Sequence, residues 1–315
     1  MRIPTLLLAC LVSGALHAQE DPKIVLRFAW PKEGTVQVSE KRAKRGGEAE
    51  MTYRLRISPE GEDGGIRVAY EEFAFVRVNG MDANRPELRE VMARLRATEG
   101  LIPAYRVDRE GEFCGIVDFD TWLESMVGTL EGLPSMSEDV KKKLREFFTS
   151  AQGRETLAGK AAEPWNAWAG HWTGLEIAVG EVQEFEVEQT VPLAGGEIAV
   201  PVIYRVSCEE RMTDAGVECV RLRSVQEPDS EKLLEAAERF LREHPVDRPE
   251  AALANLSTTT VLEGVYEIAA LRPHRASIRM TMRVAEEGGE EHEQVDLREY
   301  AFLWPDLAAA EEKDE

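Results

Sequence analysis

Three tryptophans, Trp165, Trp168 and Trp172, form the most conspicuous aromatic cluster in the chain and follow the spacing i, i+3, i+7. On a helix that spacing puts all three rings on one face. Such a face serves either as a stacking platform at the mouth of an apolar ligand site or as the plug that packs a helix onto a sheet. Exposure separates the two, because buried rings take nothing from solvent.

A basic run, Lys41-Arg42-Ala43-Lys44-Arg45, leads into Gly46-Gly47 as a hairpin tip would. Lys41, Arg42, Lys44 and Arg45 there would touch anionic membrane headgroups or form a charged edge that blocks strand pairing. Cys208 ends an apparent strand over 202–208, and Cys219 lies in the next, over 217–222. A hairpin centred on Thr213-Asp214 sets them opposite each other, within disulfide reach in an oxidising compartment; two buried thiols are the alternative. Cys114 reads as a core residue.

Other constellations are weaker. His292, between Glu291 and Glu293, would hold a divalent ion loosely or simply tip a solvated hairpin. Asp108-Arg109-Glu110-Gly111-Glu112 lacks the alternating ligand set of an EF-hand and reads as a tight turn between strands. No G-x-S-x-G, S-x-x-K, H-E-x-x-H, P-loop or C-x-x-C occurs. Of His171, His244, His274 and His292, none stands at metal-ligand spacing from another. The expectation is a protein with no catalytic residues, no metal and no cofactor.

The elements that must position these residues are mainly strands. Met51, Tyr53, Leu55 and Ile57 alternate with polar neighbours, as do Ile278, Met280, Met282 and Val284, and Ile24, Leu26, Phe28 and Trp30 show the same period of two. Gly-Gly at 46-47, 64-65, 195-196 and 288-289 separates strand-like runs, as hairpin turns require. Helices are fewer. Caps are expected at Asn84, Asp120, Ser135 and Asp229, each followed by an amphipathic stripe.

The punctuation repeats. Gly34, Gly46-Gly47, Tyr53-Arg54 and Gly65 in the first half answer to Gly180, Gly195-Gly196, Tyr204-Arg205 and Gly216 in the second. The fold class predicted is therefore mainly β (α+β): antiparallel meanders in two related halves, open-barrel or sandwich-like, with amphipathic helices between and after them. The expected organisation is a leader over 1–18, a β half with one helix over 19–118, a helical linker over 119–172, a second β half over 173–305 and an acidic tail over 306–315.

Residues 1–18 carry Arg2, a short apolar run and small residues at Ala15 and Ala18, the layout of a signal peptide. The protein is expected to be periplasmic or secreted. Leu7-Leu8-Ala9-Cys10 also resembles a lipobox, which would anchor it through Cys10. No later apolar run is long enough for a transmembrane helix. The net charge of -21, from 59 acids against 38 bases, would repel a phosphate backbone, so nucleic acid is excluded as a partner.

The order of signal peptide, meander over 24–118, helical segment over 119–172 and second meander over 175–304 resembles the LolA-like periplasmic lipoprotein carriers, and uncharacterised secreted bacterial β-rich proteins. For the carriers it implies an open β-barrel with helices filling its concave side; no functional residue carries over. Three readings follow: a non-enzymatic envelope protein binding a lipid or other apolar or amphiphilic ligand, an interaction module for another envelope protein, or a hydrolase with a dispersed acid pair.

Overall fold

The computed structural model describes residues 22–61, 63–96, 101–131, 137–193, 196–243, 253–286 and 289–307. The leader with Cys10, Ser135, His244 and the acidic tail beyond Leu307 lie outside them.

Long β-branched and alternating runs pair into one antiparallel sheet. Its strands are β2 (Gly34–Lys44), β3 (Gly47–Glu60), β4 (Gly65–Val78), β5 (Met81–Asp82), β6 (Tyr105–Val107), β7 (Phe113–Ile116), β9 (Val182–Leu193), β10 (Gly196–Asp214), β11 (Val217–Pro228), β12 (Leu253–Glu267), β13 (Pro273–Glu286) and β14 (Glu291–Leu303). The spatial order is β7-β6-β4-β3-β2-β14-β13-β12-β11-β10-β9, with β5 on β4. The last long strand pairs with the first, Phe302 facing Val38, and so joins both meanders in one sheet rather than two stacked ones. The sheet does not close into a barrel. β1 (Ile24–Val25) pairs separately with β8 (Glu176–Ile177). The alternation over 24–30 is real in burial, with Ile24, Leu26 and Trp30 inside, but only its first two residues form a strand.

Gly46-Gly47 and Gly64-Gly65 sit where consecutive antiparallel strands meet, while Gly195 and Gly288 lie outside the described residues. Three of the expected caps shift. The first helical turn after Asn84 is a 3-10 turn over Pro86–Leu88 leading into α1 (Arg89–Arg96), and Arg85, not Asn84, precedes it. α2 (Phe119–Glu131) starts one residue before Asp120. Ser137 caps α3 (Glu138–Thr149), its hydroxyl accepting from the Val140 N–H. Asp229 does cap α5 (Ser230–Glu243), accepting from the Lys232 N–H at 2.8 Å. At the other end, Asp306 pairs with Arg272 and Leu307 is buried, so the folded body runs into the segment expected to be tail.

α4 (Ala151–Trp165) carries Pro164, which lacks the N–H its last turn needs. The chain answers by widening to a π-turn over Asn166–Gly170, where the His171 N–H reaches back to the Asn166 carbonyl. This turn lies inside the main core, against β12, β13 and β14.

Candidate functional site

A cleft of about 790 Å³ opens between β2, β3 and β4 on one side and α2 and α4 on the other. That volume suits one small-molecule ligand. Simple alternation turns Glu40, Arg42 and Lys44 of β2 and Ala49, Met51 and Tyr53 of β3 toward it. β4 needs more than alternation. It carries one extra residue opposite Tyr53, at Glu72 with φ 53°, and a second near Val76. A bulge shifts the pleat by one residue. Two of them bring Tyr70, Phe73, Phe75 and Val78 onto the same cleft wall. On the outer face Arg54 holds Glu72 at 2.7 Å and Glu71 at 3.1 Å, which secures the unusual backbone.

The cleft is amphipathic. Phe73, Phe75, Val78, Trp122, Met126 and Leu157 make an apolar wall. Across from it stand four cations, Arg42, Lys44, Lys160 and Arg298, and three carboxylates, Glu40, Glu48 and Glu163. Glu40, buried at 3% exposure, is paired with Arg42. Glu163 is paired with Lys160 and, at 3.5 Å, with Arg298. Lys44 has no ion-pair partner among the described residues.

Tyr53 and Tyr105 line the cleft, and each is only 1% exposed. Their hydroxyls, and that of Tyr300, lie near polar neighbours (Glu40 for Tyr53, Tyr70 for Tyr105, Arg298 for Tyr300) without a well-formed hydrogen bond. Leaving a buried hydroxyl unpaired costs about 1–3 kcal/mol. Burial pushes both phenols well above their usual pKa, helped at Tyr53 by the charge of Glu40 and at Tyr105 by Tyr70. They therefore stay protonated and remain donors at any physiological pH.

The tryptophan face is elsewhere. Trp165, Trp168 and Trp172 have no exposed surface, so they are the plug and not a ligand platform. The Trp165 indole donates to the Gly111 carbonyl at 2.9 Å, and Trp168 packs edge-on against Tyr300 and Phe302. They do not share one α-helical face, because the π-turn intervenes between the first and the last.

The basic run is corrected too. β2 is paired on both sides, with β3 and, up to Ala43, with β14, so it blocks no edge. Its alternation also splits the charges: Arg42 and Lys44 enter the cleft, while Lys41 faces a groove of about 630 Å³ on the opposite side of the sheet. Lys41, Arg42, Lys44 and Arg45 thus make no single membrane-facing patch.

Cys208 and Cys219 are free and not opposed. The hairpin turns at Ala215-Gly216, two residues later than expected, and a bulge at Glu209 takes back one position, so Cys208 faces Leu222 and Cys219 faces Met212. Cys114 is exposed rather than core. Asp108 closes its turn by accepting from the Glu112 N–H at 2.8 Å, and Glu291 and Glu293 pair with Arg283.

One cluster escaped sequence reading altogether. The Cys219 sulfur lies 3.9 Å from His274 Nε2, and His274 Nδ1 lies 3.2 Å from the Asp214 carboxylate. Three strands supply these residues, so no local spacing announces them. No protein-family model matches the chain, and no curated protein is similar to it.

Proposed function

We propose that this protein is a non-enzymatic component of the bacterial envelope that holds one anionic amphiphile in the cleft between β2–β4 and α2/α4. The observation that carries this reading is the meeting, in a single cleft, of an apolar wall with a charged group in which Lys44 has no ion-pair partner among the described residues. The apolar wall takes an acyl chain, whose burial contributes about 0.8 kcal/mol per CH₂. Lys44, which has no ion-pair partner among the described residues, takes a carboxylate or phosphate head. An acyl-bearing ligand is also the common ground with the resemblance to LolA-like carriers. The cleft's Glu40 and Glu163 are tied to cations, an arrangement of structural ion pairs rather than of an acid–base couple, which speaks against the hydrolase reading.

Titration with a fluorescent long-chain carboxylate tests the proposal. Saturable one-to-one binding is expected, weakened at least tenfold by Ala161→Trp, which fills the cleft from α4. Absence of saturable binding, or full binding by the Ala161→Trp protein, would sink it. A second reading, an interaction module, rests on β9. This strand ends the sheet and exposes Val182, Phe185 and Val187, although Glu184, Glu186 and Glu188 alternate with the last two and blunt the edge. Native mass spectrometry from the envelope separates the two, by bound lipid or bound protein.

A further inference from the structure

The charged side of the cleft is built on an unfavourable pair. In the register of β14 against β2, Arg298 stands directly opposite Arg42, and both side chains line the cleft. Opposed residues on one sheet face have Cβ atoms about 4.5–5.5 Å apart, a spacing at which like charges repel. Lys44 follows two residues after Arg42 on the same face and adds a third cation to the row. A sheet face that gathers three cations needs anions over it.

Two carboxylates answer them, and they are not equivalent. Glu40 comes from β2 itself, is buried and is paired with Arg42. Glu163 comes from α4, across the cleft, and reaches Arg298 at 3.5 Å. Both members of that second pair stay open to solvent, Glu163 at 37% exposure and Arg298 at 34%. An ion pair this long and this exposed is weak. Nor does Glu163 depend on it. Lys160, one helical turn earlier on α4, is paired with the same carboxylate. Glu163 can therefore release Arg298 and keep a partner. Trp165, two residues on, has no exposed surface, which anchors the backbone there. Exchange at Arg298 thus requires only a turn of the Glu163 side chain.

We propose, resting on the amphiphile reading of the cleft, that Arg298 is the second contact beside Lys44 for the ligand's head, and that the Glu163 carboxylate is an internal stand-in which that head displaces. The head is then a carboxylate, like the group it replaces. Arg298 suits the role, since its planar guanidinium meets a carboxylate through two parallel N–H···O bonds, whereas Lys44 offers a point charge. No covalent bond is made or broken; one carboxylate takes the place of another on the same guanidinium. Lys44 and Arg298 supply the preference for an anionic head, and Glu163 sets how strongly a ligand must compete for it.

The test is titration of the full chain with a fluorescent long-chain carboxylate and with the corresponding long-chain alcohol. Glu163→Gln removes the competing charge at nearly constant volume. It should tighten carboxylate binding about two- to fivefold, the worth of an exposed ion pair, and leave alcohol binding unchanged. Arg298→Gln should weaken carboxylate binding about tenfold or more. In the double variant Arg298→Gln/Glu163→Gln the gain from the second substitution should vanish. Glu50→Gln removes a carboxylate from the other face of the same sheet, opposite Lys41, and should leave the affinity unchanged. The assignment is overturned if the wild type binds the carboxylate and Glu163→Gln binds it no more tightly. Equal tightening of the alcohol, equal tightening by Glu50→Gln, or a gain that survives in the double variant overturns it too. Absence of saturable binding by the wild type and Glu163→Gln alike sinks the amphiphile reading, and this assignment with it.

Discussion

Tyr266 and Tyr53 are both fully buried on the helix-bearing face of one sheet, yet they live in opposite conditions. Tyr266, on β12, donates to the Ala167 carbonyl at 2.7 Å and accepts from the Trp172 indole at 2.8 Å. The π-turn and its tryptophans fill that half of the sheet to the last polar atom of the tyrosine. Tyr53, on β3, has no well-formed hydrogen bond, and Tyr105 and Tyr300 share its condition. In the filled half the Tyr266 hydroxyl is consumed by the fold, although the Trp168 indole N–H there is itself without a partner. At Tyr53 the hydroxyl is buried with no well-formed bond.

Three changes break or sharpen that contrast. Trp168→Ala empties the middle of the plug, and loss of a large buried ring costs about 3–5 kcal/mol. Chemical denaturation should show that drop, and a loss below about 1 kcal/mol would mean the plug is not the core it appears in its contacts with Tyr300 and Phe302.

The second change is one of pH. His171, at the end of the π-turn, stacks on Tyr204 and shares a 2.8 Å hydrogen bond with Ser224. Burial lowers its pKa from 6.5 to about 4. The unfolded chain therefore binds the proton first, so His171 leaves stability intact above about pH 6.5 and erodes it as pH falls toward 4. At about 1.4 kcal/mol per pKa unit the loss approaches but does not exceed about 3 kcal/mol. Thermal melts of wild type and His171→Gln over pH 4–7 check it: the variant should have the shallower acid slope, and parallel slopes would refute the assignment.

The smallest effect is the sharpest. Tyr266→Phe removes both of these bonds and leaves the Trp172 indole and the Ala167 carbonyl with only the 3.1 Å bond between them, and should cost about 1–3 kcal/mol. Tyr53→Phe removes only a hydroxyl without a well-formed hydrogen bond, so it should leave the free protein as stable or up to about 1 kcal/mol more stable. Equal destabilisation by the two substitutions would erase the contrast.

Most strands and the long helices were legible because their signals are local. The alternation of Met51, Tyr53, Leu55 and Ile57 specifies a half-buried strand wherever it sits, and Asp229 satisfies the first turn of α5 from one residue away. Details that depend on one residue of phase were not legible. The register that separates Cys208 from Cys219 follows from a turn at Ala215-Gly216 and a bulge at Glu209, and a shift of this size changes every cross-strand partner. The cleft depends on the same kind of event, since only the bulges of β4 put Phe73 and Phe75 beside Tyr70.

By itself the sequence determined a β-rich, acidic chain with alternating strands, glycine turns, a central helical segment and no catalytic motif, because composition and short-range periodicity carry that information. Tertiary structure alone decided that the tryptophans are buried, that the basic run is divided between two faces, that three buried tyrosines make no well-formed hydrogen bond and that Cys219 meets His274. Those outcomes depend on contacts between residues as far apart as Cys219 and His274, or Trp172 and Tyr266, and on strand register, which no local pattern encodes.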